Sequence, residues 1–119
     1  MNAPDRFESF ILPDGAKKLE AVKTISGVKN SMIFRIERED HTLGNMIRTE
    51  LHKNPKVIFS GYKIPHPLQH HLEIYIQTQD GYKPATALNE ALSTLISDIA
   101  KMRSNFDVSF TNFTKKHFF

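Results

Sequence analysis

The stretch PATALNEALSTLISDIAKMRSNF, Pro84–Phe106, decides how the rest of this chain is read. Leu88, Leu92, Leu95, Ile99, Met102 and Phe106 recur at steps of 4, 3, 4, 3 and 4, the a/d spacing of a coiled-coil seam. Ala85, Ala91 and Ile96 widen the stripe at its flanks. Pro84 suits a first helical turn, where its missing N–H leaves no bond unmade, and no proline follows it. The spacing predicts a helix from Pro84 to about residue 110, on the order of 40 Å long at 1.5 Å per residue. A compact chain of this size is only roughly 35 Å across. Strands of eight or nine residues cannot cover such a helix, so part of the seam is expected to overhang. Each Leu, Ile, Met or Phe left in water forgoes about 1.5–3 kcal/mol, a large loss against a net stability of about 5–15 kcal/mol. The overhang therefore predicts a partner. The bland alternative is that the whole stripe covers the chain's own sheet.

Upstream of this helix the period changes. His71–Thr78 alternates cleanly, with Leu72, Ile74 and Ile76 on one face and Glu73, Tyr75 and Gln77 on the other. Ser31–Arg38 does the same, with Met32, Phe34 and Ile36 against Ile33, Arg35 and Glu37. Lys56–Ile64 is expected as a third strand, with Ile58, Tyr62 and Ile64 on one face and Val57 and Phe59 on the other. Lys18–Ile25 reads as a short edge strand. Between strands, Asp40–Asn54 reads as a helix: Asp40 or Thr42 can cap it, Leu43, Met46, Ile47 and Leu51 form its apolar stripe, and Asn54-Pro55 stops it. Gly44 inside that helix costs about 0.5–1 kcal/mol relative to alanine, a hint of close backbone approach. The order is (β)βαββα. The fold class is α+β: a small, mostly antiparallel sheet with two helices packed on one face and a long C-terminal helix. One domain spans 1–119, with 1–17 as an N-terminal extension and 111–119 as a C-terminal tail.

Composition bounds the function. The 119 residues include 39% hydrophobic and 24% charged side chains, which suits a globular chain and not a disordered one. Lys and Arg number 16 against 13 Asp and Glu, a net charge of +3. The three thirds of the chain carry +2, −1 and +2, so no segment is a basic arm that could track phosphates. Cysteine is absent, which excludes disulfides, thiolate catalysis and Cys-based zinc sites. The first residues lack the layout of a signal peptide and no stretch is long and apolar enough for a membrane span. A soluble, intracellular protein is expected.

The candidate chemistry is thin. His66, His70 and His71 form the one histidine cluster, but His70 and His71 are strand neighbours and point to opposite faces, so a metal site is not expected. His41 sits at a helix start, where the dipole disfavours its protonated form, and is expected to be a structural contact. No nucleophile elbow, phosphate-binding glycine loop or paired-carboxylate spacing occurs. Phe59, Tyr62 and Tyr75 raise an RNA-binding sheet as an alternative, but its basic–glycine–aromatic signature is absent. A small enzyme ranks far behind. Lys115-Lys116 reads as a solvated pair, and Phe110, Phe113, Phe118 and Phe119 have no role that the pattern explains.

Asp40-His41-Thr42-Leu43-Gly44-Asn45-Met46-Ile47-Arg48 resembles the alpha motif of RNA polymerase assembly subunits. Gly61-Tyr62-Lys63-Ile64-Pro65-His66-Pro67, Gln77-Thr78 and the long terminal helix continue the match, and Met1-Asn2-Ala3-Pro4 with Phe7-Glu8 favours the polymerase II branch over the equivalent subunit shared by polymerases I and III. The pattern is looser at Val28-Lys29-Asn30-Ser31 and lost after Phe106. The resemblance is to the smaller alpha-like subunits, and covers nearly the whole chain. It implies a nuclear, non-catalytic subunit that binds no cofactor, pairs with the larger alpha-like (third) subunit of RNA polymerase II, and with it forms a platform for the two large catalytic subunits beside the small ones. No direct contact with DNA, RNA or membrane is implied. Carried over by position, Thr42, Leu43, Gly44, Asn45, Ile47 and Arg48 would lie at or support the partner interface. Leu51 continues that face, Asp40 and His41 shape the helix entry, and Leu88, Leu92, Leu95, Ile99, Met102 and Phe106 supply the second face. A bulky residue at Gly44 is expected to weaken pairing more than folding.

Overall fold

A computed structural model of the chain describes residues 3–118. Met1 and Asn2 of the opening segment and Phe119 of the tail lie outside the described residues. Four strands form one antiparallel sheet: β1 Leu19–Lys23, β2 Ser31–Glu37, β3 Val57–Lys63 and β4 His71–Thr78, in the order β1-β2-β4-β3. Helix α1 spans His41–His52 and connects β2 to β3; α2 spans Pro84–Phe118 and closes the chain. Ahead of β1 a single 3-10 turn covers Arg6–Ser9.

Register places the apolar residues together. Phe34 faces Ile74 and Ile36 faces Leu72 across the β2–β4 ladder, while Tyr62 faces Ile74 across β3–β4. Leu72, Ile74 and Ile76 are fully buried, as their alternation requires, and Ile47 and Leu51 of α1 with Ala87, Leu88 and Ala91 of α2 close over them. Both helices thus share one face of the sheet. Ile33, on the other face between Lys23 and Tyr75 in register, is also buried.

The third strand departs from simple alternation. A bulge between Val57 and Phe59 shifts the register by one residue. Val57 therefore joins Tyr62 and Ile64 against the core, and Ile58, expected with them, is 59% exposed. The buried hydroxyls are all bonded: Ser31 Oγ donates to the Val28 carbonyl, Ser60 Oγ to the Arg48 carbonyl and Thr78 Oγ1 to the Tyr82 carbonyl.

Asp40 caps α1, its carboxylate accepting from the Thr42 N–H at 3.0 Å. Gly44 then meets the sheet. A Cβ at that position would lie 2.6–2.9 Å from three ring carbons of Tyr62, and the ring is held in place because the Tyr62 hydroxyl and His41 Nδ1 are 2.9 Å apart. The close approach that Gly44 hinted at is thus within this chain. A larger residue there disturbs folding first, which corrects the expectation that it acts mainly on pairing.

A polar junction sets where α2 leaves the sheet. The Asp80-Gly81 turn uses the left-handed conformation, φ +82° at Gly81. Tyr82 follows; its hydroxyl donates to Glu90 of α2 and accepts from the Asn54 amide at 3.1 Å, just past α1. One phenol ties the end of one helix to the start of the other. Burial first, and then the bond to the Glu90 carboxylate, push the Tyr82 phenol above its ordinary value of 10.0, against the opposing pull of Asn54.

Two outcomes are expected from this packing. Gly44→Ala should destabilise the isolated chain by about 1–3 kcal/mol through overpacking, and the penalty should largely vanish in a Tyr62→Leu background, as urea titration of the double-mutant cycle would show. The folded state holds the Tyr82 proton more tightly than the unfolded chain does, so its contribution is complete below the ordinary phenol value and is lost as pH rises through the folded one. Tyr82→Phe should cost about 1 kcal/mol at neutral pH and flatten the alkaline fall of the urea midpoint.

Candidate partner interface

Helix α2 holds 35 residues, about 52 Å at 1.5 Å per residue. Its first three turns are bound to the sheet, with Ala87, Leu88 and Ala91 buried and Leu92 and Leu95 half-buried against the core. Beyond Leu95 the helix leaves the sheet. Ile99 is 50% exposed, Met102 69% and Phe106 65%. The molecule measures 64 × 49 × 22 Å with a radius of gyration of 18.5 Å, against roughly 13.5 Å for a compact chain of this length. The overhang expected from the sequence is present, and it is larger than expected, because the helix continues past residue 110 to Phe118.

Two of the aromatic residues that the pattern left without a role, Phe110 and Phe113, stand on this extension. Phe110 and Phe113 follow Phe106 at steps of 4 and 3 on the same helix face, and the rings of Phe106 and Phe110 stack with centroids 6.1 Å apart. The run Ile99, Met102, Phe106, Phe110 steps by 3, 4 and 4, an 11-residue stutter in the heptad. That stutter was the available signal, and it breaks a search for strict 4, 3 alternation. Beside this stripe, Ile96, Ala100 and Val108 line a second shallow groove with Arg103 and Asp107.

The other candidate residues divide into two sets. Gly44, Ile47, Leu51 and Leu88 are buried in this chain's own core. They can support a surface but do not present one. Leu43 is half-buried against the same core. Asp40, His41, Thr42 and Asn45 are exposed, and Arg48 is half-exposed with its guanidinium donating to Asn45 Oδ1 at 2.5 Å. His41 and Arg48 line a groove beside β3, whereas Glu50, Leu51 and Asn54 line the cleft toward Ala87, Glu90 and Ala91 of α2. The structure therefore does not bring Arg48 to the open seam of α2. His66 is used locally, its Nδ1 accepting from the Leu68 N–H at 3.1 Å, and His70 gives its carbonyl to the Arg38 N–H. Among the described residues no group of three or more His, Cys, Asp or Glu gathers as a metal site, and no helix is long and apolar enough to cross a membrane.

The division of α2 has a direct readout. Ile99→Asp with Met102→Asp should leave the stability of the lone chain within about 0.5 kcal/mol of the parent, as for other exposed substitutions. Leu88→Asp should unfold it by burying an unpaired carboxylate. Thermal melts followed by circular dichroism distinguish the two.

Comparison with known proteins places these features. The model of the RNA polymerase Rpb3/Rpb11 dimerisation domain matches residues 31–105, from β2 into the open part of the seam as far as the residue before Phe106. The chain is 42% identical to DNA-directed RNA polymerase II subunit rpb11 of Dictyostelium discoideum over 106 residues, 89% of this chain and 88% of that one. It is 45% identical over 107 residues to the probable DNA-directed RNA polymerase II subunit RPB11 of Caenorhabditis briggsae, 90% of this chain and 86% of the other. Among solved structures, DNA-directed RNA polymerase subunit L of Thermoplasma acidophilum superimposes with a TM-score of 0.69 at 25% identity, covering 85% of this chain and 96% of that one.

Proposed function

Because this chain belongs to the RNA polymerase Rpb3/Rpb11 dimerisation-domain family, we propose that it is a non-catalytic assembly subunit of DNA-directed RNA polymerase II. It pairs with the larger alpha-like subunit, and the pair forms the platform on which the two large catalytic subunits assemble in the nucleus. The single observation that carries this reading is the open half of α2. Ile96, Ile99, Met102 and Phe106 expose apolar side chains in one continuous run on a helix already anchored at its other end. Burying each would contribute about 1.5–3 kcal/mol, enough in sum to overcome the entropy of association. A surface of this kind serves a permanent partner better than a transient one, because obligate interfaces are the more apolar class. The polymerase II names of its relatives favour that enzyme over polymerases I and III.

The mechanism is one of helix pairing. The sheet and α1 hold the first turns of α2 rigid, so the remainder projects in a defined direction and meets a partner helix without first having to order itself. No group on this face carries out chemistry; its contribution is area and direction.

Co-expression with the larger alpha-like subunit tests the reading. The parent should give a 1:1 complex by light scattering on a sizing column. Ile99→Asp with Met102→Asp should weaken pairing at least about tenfold per substitution, since each places an unpaired carboxylate in a desolvated seam. Unchanged co-purification of the charged variant would sink the proposal.

A further inference from the structure

The seam of α2 beyond Leu92 divides into two runs of equal length. Leu95, Ile99 and Met102 form a non-aromatic run of about two turns, and Phe106, Phe110 and Phe113 an aromatic run of about two turns. All but the half-buried Leu95 are at least 50% exposed. A second copy of the helix laid antiparallel, about a two-fold axis level with Ser104 and Asn105, sets each run on the other. Leu95 then comes level with Phe113 of the second copy, Ile99 with Phe110 and Met102 with Phe106, and the axis makes every pair twice. The pairs match to within one residue, about 1.5 Å of rise. Thioether sulfur also packs favourably on aromatic rings, which suits Met102 on Phe106. The rings of Phe106 and Phe110 already stack within the chain, so part of the ordering precedes contact.

Charge selects the same direction. Arg103 and Asp107 stand one turn apart in the groove on one flank of the seam. Among the described residues, neither forms an ion pair within the chain. The two-fold axis brings the same flank of both copies together, so Arg103 meets Asp107 of the second copy and Asp107 meets its Arg103. A parallel copy would set Arg103 on Arg103 and Asp107 on Asp107. The other charges of the overhang meet no like charge, since Asp98 comes level with Thr111 and Lys101 with Val108. We propose that two copies of this chain, when no other subunit covers the seam, pair antiparallel through the open halves of α2. The copy and the larger alpha-like subunit would occupy one face, so self-pairing and pairing with that subunit exclude one another.

Sedimentation equilibrium of the full chain, with no other subunit present, tests this. The parent should show a reversible monomer–dimer equilibrium. Arg103→Glu and Asp107→Arg, both at exposed positions, should keep the far-ultraviolet circular dichroism of the parent. Each should weaken self-association about tenfold, because it turns both symmetric ion pairs into repulsions. Mixing the two single variants should restore pairing, since opposite charges then meet at both contacts. The doubly reversed chain, Arg103→Glu with Asp107→Arg, should dimerise like the parent, which a parallel arrangement would not allow. A parent that stays monomeric at its highest soluble concentration, folded single variants that self-associate as the parent does, or a double variant no better than the singles would overturn the proposal. So would species larger than the dimer that ignore these charges. The larger alpha-like subunit is left out of the experiment, so failure here leaves the assembly role standing.

Discussion

A mismatch of lengths governs this molecule. The longest strand holds eight residues, about 26 Å at 3.3 Å per residue, while α2 runs to about 52 Å. No arrangement of one such sheet can cover one such helix. The chain resolves this by binding the first turns of α2 tightly and giving up the rest to solvent. The core is correspondingly small and complete: Ile47, Leu51, Leu72, Ile74 and Ile76 have no exposed surface. What is left open is a helix face, with its backbone bonds already satisfied within the helix, so the exposure forfeits apolar burial without leaving a polar group unpaired.

The rest of the fold directs that helix. Gly44 lets α1 sit on the Tyr62 ring at a distance that no side chain would permit, and α1 in turn meets α2 along Leu51, Ala87 and Ala91. Tyr82 then joins Asn54 to Glu90. These contacts involve residues that never reach the open seam, yet they fix the angle at which it is offered. Ile47 of the motif and Leu51 one turn beyond it are wholly buried, so they fix α1 against the core while the polar residues of the helix project outward.

Much of this was legible in the sequence because single elements carried their own periods. β4 declares its faces residue by residue, Asp40 marks the start of α1, and the a/d run from Leu88 to Phe106 shows both a helix and its excess length. Other features depend on contacts between elements. Ile58 reads as a core residue until the bulge at Val57 turns it outward. Gly44 shows that something approaches closely, but only the fold identifies it as Tyr62. The extension past residue 110 was hidden by the stutter at Phe110 and by polar residues such as Thr111 and Asn112, which helices tolerate when nothing packs against them. The same α1 stripe that reads as a partner surface, Ile47 with Leu51, proves to be internal, because periodicity shows that a face is apolar and not which neighbour covers it.

The open half of α2 also links the lifetime of this chain to supply. A molecule whose apolar helix stands in water is a substrate for aggregation and for the cellular machinery that removes exposed hydrophobic surface. Whatever covers the helix stabilises the chain by mass action. Under the pairing proposed above, the abundance of the chain is expected to follow the amount of its complement as well as its own rate of synthesis, so that the projecting helix would act as a stoichiometric gauge written in hydrophobic area.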